Sequence, residues 1–87
     1  MDFHDLLFRY FGSAEIDAMT PSALEAGLDR MRVDFGLETH PGRRFALWAL
    51  MHMLGDAPDV ETAFEDAGER EAARRFMDLA DSAGSAD

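Results

Sequence analysis

Phe45-Ala46-Leu47-Trp48-Ala49-Leu50-Met51-His52-Met53-Leu54 is an apolar run broken only by His52. At about 100° per residue, a helix over this run has no polar face. Phe45, Trp48, Met51 and Leu54 point in different directions, and so do Leu47 and Leu50. A helix that is apolar all round has to be enclosed by others. A run of ten residues is too short to cross a bilayer, which takes about 20. The run therefore predicts a soluble all-α fold: a compact bundle of four to five short helices around a central buried helix at about residues 41–54.

Punctuation on either side agrees. The central helix opens near Thr39-His40-Pro41 and stops at Gly55. Upstream, Thr20 caps a helix with Pro21 in its first turn. Leu24, Gly27, Leu28, Met31 and Phe35 recur there at helical spacing, and Gly36 is the expected end. A first helix is expected over Asp2 to Phe11, with Phe3, Leu6, Leu7, Tyr10 and Phe11 on one face and Gly12 as its stop. Ser13 to Met19 has room for a single turn around Ile16. Downstream, Asp59 caps a helix carrying Val60, Ala63, Phe64 and Ala67. The next apolar set, Ala72, Phe76, Leu79 and Ala80, lies about 150° away on the same helical count. One straight helix cannot bury both sets. A break is expected at Ala67-Gly68-Glu69, with a last helix running to about Ser82.

A chain of 87 residues forms one domain, here placed at residues 1–82, with a frayed tail over 83–87. Hydrophobic residues make up 47% and charged residues 30%, which describes a folded globule rather than a disordered chain. There is no cysteine, so disulfides and thiolate metal sites are excluded. The start, Met1-Asp2-Phe3-His4-Asp5, is acidic where a signal peptide is basic. Both features fit the cytoplasm. All eight basic residues are Arg, and Lys, Asn and Gln are absent, the composition of a GC-rich bacterial genome.

The net charge is −10. It opposes binding to nucleic acid and to anionic membrane surfaces, and it suits a basic protein partner. The third helix also lacks the polar face with which a recognition helix reads a DNA groove. Asp34-Phe35-Gly36 stands without the other kinase elements and simply ends a helix. Asp56 to Glu61 lacks the ligand spacing of a calcium loop and reads as a turn followed by a cap. His4 between Asp2 and Asp5 does not form a one-faced metal site. No metal or cofactor is expected, and no catalytic motif appears.

Two places invite a functional reading. Thr39, His40, Gly42, Arg43 and Arg44 open the central helix. Cations at a helix N-terminus are unfavourable by about 0.3–1 kcal/mol each, so an anion should offset them. One of the chain's own acids, a phosphate or carboxylate ligand, or an acidic group on a partner would serve. Phe8, Val33 and Leu37 lie off the core faces of their helices and are candidates for an exposed contact patch. His52 in the apolar run is expected to be a hydrogen-bonded core or boundary histidine. These features point to a small acidic cytoplasmic protein-interaction module without catalytic activity, its partner another protein or a second copy. The alternative is a binder of a small apolar or amphiphilic ligand in a pocket lined by Met and aromatic residues.

Overall fold

The computed structural model describes residues 3–13 and 15–84, the side chains of Ile16 and of residues 83 and 84 excepted. Every regular element among them is helical. In chain order they are α1 (Phe3–Phe11), one 3-10 turn (Ile16–Ala18), α2 (Pro21–Leu37), α3 (Pro41–Met53), α4 (Val60–Ala63) and α5 (Ala67–Gly84). The all-α expectation holds, but the enclosure of the apolar run is partial: α3 is buried over Leu47 to Met51, Phe45, Ala46, His52 and Leu54 are half-buried, and Met53 is 57% exposed. Leu47, Trp48, Ala49, Leu50 and Met51 are each no more than 4% exposed. Five consecutive helical residues sweep a full turn of directions, so this stretch turns no side to water. The tail expected at 83–87 falls largely outside the described residues; α5 itself runs two residues past Ser82, to Gly84.

The chain divides into two compact units, Met1–Leu47 and Trp48–Asp87. In the first, α1 packs on α2. Leu6 and Tyr10 of α1 and Leu28, Met31 and Phe35 of α2 are buried. The backbones approach closely at Gly27, where a Cβ would lie 2.9 Å from the Tyr10 carbonyl oxygen and overlap the Phe11 ring. Thr20 caps α2 as expected, its Oγ1 accepting from the Ala23 N–H at 3.1 Å. Gly12 ends α1 in the left-handed region at φ +72°, its N–H donating to the Phe8 carbonyl at 2.9 Å. Glycine tolerates that conformation without a Cβ clash.

Gly36 does not play the same part. α2 runs through it to Leu37 and is capped by Glu38 in an extended conformation, φ −73° and ψ 131°, with the Glu38 N–H on the Asp34 carbonyl. A helix needs a terminal glycine only where the chain leaves through the left-handed region, and here it leaves extended. The stop at Gly55 is the expected kind, with φ +83°. The Gly55 N–H reaches the His52 carbonyl and the Asp56 N–H reaches the Met51 carbonyl, at 3.0 and 2.9 Å. This is the paired bonding that closes a helix on a left-handed glycine.

In the second unit, Trp48 is 1% exposed. Its indole N–H donates to the Pro58 carbonyl at 3.0 Å, and its ring meets Phe64 and Phe76 edge-on at 5.6 and 6.1 Å. α4 is a single turn that ends at Phe64. Arg70 Nε donates to the Phe64 carbonyl at 2.7 Å, satisfying an oxygen that the short helix leaves open. The break between the last two helices therefore comes earlier than the Ala67-Gly68-Glu69 expected. Asp66 caps α5, its carboxylate accepting from the Glu69 N–H at 3.0 Å, and Ala67 and Gly68 are already helical. The inward stripe of α5 is also corrected. Ala73 is fully buried, and Phe76, Met77 and Ala80 are half-buried. Ala72 is exposed and Leu79 is 72% exposed. The last two sit about 100° round the helix from the stripe.

The two glycines of α2 make opposite demands. Gly36→Ala meets nothing within 4 Å and should stabilise the fold by about 0.5–1 kcal/mol through reduced backbone entropy. Gly27→Ala must push α1 away and should cost about 1–3 kcal/mol. Urea unfolding followed by circular dichroism measures both, and a neutral Gly27→Ala would contradict the close approach of α1 to α2.

Candidate functional site

Tyr10 places a polar tip on the apolar face of α1, and a buried phenol needs a partner. α2 supplies it: the Tyr10 hydroxyl donates to Asp34 Oδ2 at 2.5 Å. The Arg30 guanidinium lies 5.6 Å from the Tyr10 ring centre. Burial, then the hydrogen bond and negative charge of Asp34, push the Tyr10 pKa up to about 12, while the nearby Arg9 and Arg30 pull it down. Each of the first two effects favours the neutral phenol, so Tyr10 is held as a hydrogen-bond donor.

This pair borders a cleft of about 320 Å³ within the first unit. Leu6, Leu37 and Leu47 form its apolar lining; Arg9, Tyr10, Asp34, Glu38 and Arg43 form its polar lining. Leu6 and Leu47 are buried, whereas Leu37 is 74% exposed. A second hollow of about 330 Å³ is lined by Asp29, Arg30, Val33 and Asp34. Asp34 belongs to both.

The opening of α3 explains how its arginines are tolerated. Glu38 Oε2 accepts from the Thr39 and His40 N–H groups at 3.0 and 3.2 Å. Its other oxygen lies 3.9 Å from Arg43 Nη1. The anion that the sequence calls for is thus present in the chain, one residue before Thr39. His40 is the cap residue: its carbonyl accepts from the Arg44 N–H at 3.0 Å, and its Nδ1 receives a longer contact from the Arg43 N–H at 3.4 Å. The His40 ring covers Gly42, where a Cβ would come within 3.1 Å of it. Arg44 turns the other way and lays its guanidinium 4.3 Å from the centre of the Phe35 ring, a cation–π contact. The five residues are therefore split between a capping cluster, a cleft wall at Arg43 and a packing contact at Arg44.

Phe8, Val33 and Leu37 are all exposed, at 49%, 61% and 74%. Val33 and Leu37 stand one turn apart on the outer side of α2 and border the two hollows. Phe8 lines neither; it faces away from Leu6 and Tyr10, with the His4 ring edge-on at 5.1 Å. His52 is a boundary histidine. It stacks on Trp48 at 5.4 Å, meets Phe76 edge-on at 6.0 Å and lies 3.9 Å from the Asp81 carboxylate. Asp2 of the His4 cluster lies outside the described residues, among which no group of three side chains could hold a metal ion.

Sequence reasoning did not find Arg9, Tyr10, Asp34 and Glu38. One signal was available: Tyr10 is the single tyrosine and sits on an apolar stripe, so it had to be paired with a polar residue of a facing helix. No protein-family model, curated protein or solved structure matches the chain.

Because Tyr10 is the only tyrosine, its ionisation can be followed directly by ultraviolet absorbance. In the folded protein the phenolate should form near pH 12, against about 10 for a free tyrosine. The folded pKa is the higher one. The stabilisation is therefore complete below pH 10 and fades as the pH climbs toward 12. Asp34→Asn should move the midpoint down while burial keeps it above 10. A folded protein that titrates at the ordinary value would disprove the buried pair.

Proposed function

We propose that this chain is a small acidic protein-interaction module without catalytic activity. The observation that carries the reading is the outer side of α2. Val33 and Leu37 are 61% and 74% exposed on a helix whose opposite side, at Leu28, Met31 and Phe35, is buried. Large apolar side chains placed together beside hollows are a frequent mark of a protein contact. The net charge of −10 favours a basic partner and speeds its approach. No described helix is long and apolar enough to cross a membrane.

A second reading has one observation in its favour. The cleft volume of about 320 Å³ is at the lower limit for small-molecule sites, and Arg9 and Arg43 border it. An amphiphilic anion would fit those two cations. Its lining holds no methionine and one aromatic residue, Tyr10, and the carboxylates of Asp34 and Glu38 share the space. That mixture of charge suits a polar protein surface better than a single anionic head group.

The test is site-specific photocrosslinking in the host cell, with the photoreactive residue placed in turn at positions 8, 37 and 79. Discrete protein adducts from position 37 are expected. Absence of any adduct from all three positions, with the protein strictly monomeric in light scattering, would overturn the interaction reading.

A further inference from the structure

We draw no further inference here: the strongest candidate, the mixed-charge cleft of the first unit bordered by Arg9, Tyr10, Asp34, Glu38 and Arg43, belongs to the site already described, and its carboxylates already accept from the Tyr10 hydroxyl and from the Thr39 and His40 N–H groups, so nothing in the structure selects a ligand for it.

Discussion

A helical stretch with no side for water has to be enclosed, and the middle of α3 imposes that constraint. Leu47 to Met51 are buried in succession. Burying one large apolar side chain is worth about 1.5–3 kcal/mol, so α3 concentrates much of the available stabilisation in a few turns. The same enclosure sets conditions on polar groups. The backbone is satisfied within the helix, the indole N–H of Trp48 reaches the Pro58 carbonyl, and the glycine turn at Gly55 closes the helix end. Among the described residues, no buried side-chain nitrogen or oxygen is left without a partner.

Charge plays a different part. The ion pairs Arg32–Asp29, Arg74–Glu61 and Arg75–Glu71 join exposed side chains. Such pairs contribute about 0–1 kcal/mol each and are screened by salt. The fold therefore rests on apolar packing rather than on these ion pairs. Two polar arrangements are more specific. Glu38 ends one helix and accepts from the Thr39 and His40 N–H groups that lead into the next. Tyr10 and Asp34 tie α1 to α2 through a partly buried hydrogen bond. Both border the same cleft, so the groups that fix the local geometry of the first unit also line that cleft.

α2 has two unlike sides. One side packs on α1 through Gly27, whose missing side chain allows the backbones to meet. The other side keeps Val33 and Leu37 in solvent. Folding alone requires only the first side. The second is not accounted for by the packing of α1 on α2.

Helical periodicity and end signals were enough to read the five α-helices, the Thr20 cap with Pro21 in the first turn, the stops at Gly12 and Gly55, and the burial of the middle of the Trp48 run. These depend on neighbours three or four residues away, and the sequence displays them directly. Where the local signal was ambiguous, it misled: Gly36 and Gly68 looked like breaks but sit within helices, because the real ends lie at extended residues, Glu38 and Phe64. The exposure of Phe8, Val33 and Leu37 followed from their positions off the core stripes. That Val33 and Leu37 adjoin two hollows meeting at Asp34, while Phe8 stands apart from both, did not. The pairing of Tyr10 with Asp34, 24 residues away, and of His52 with Asp81 arises only when separate helices pack. Local spacing determined the elements and their inward faces. Tertiary packing decided which polar groups meet, because those contacts join residues whose separation along the chain carries no period to read.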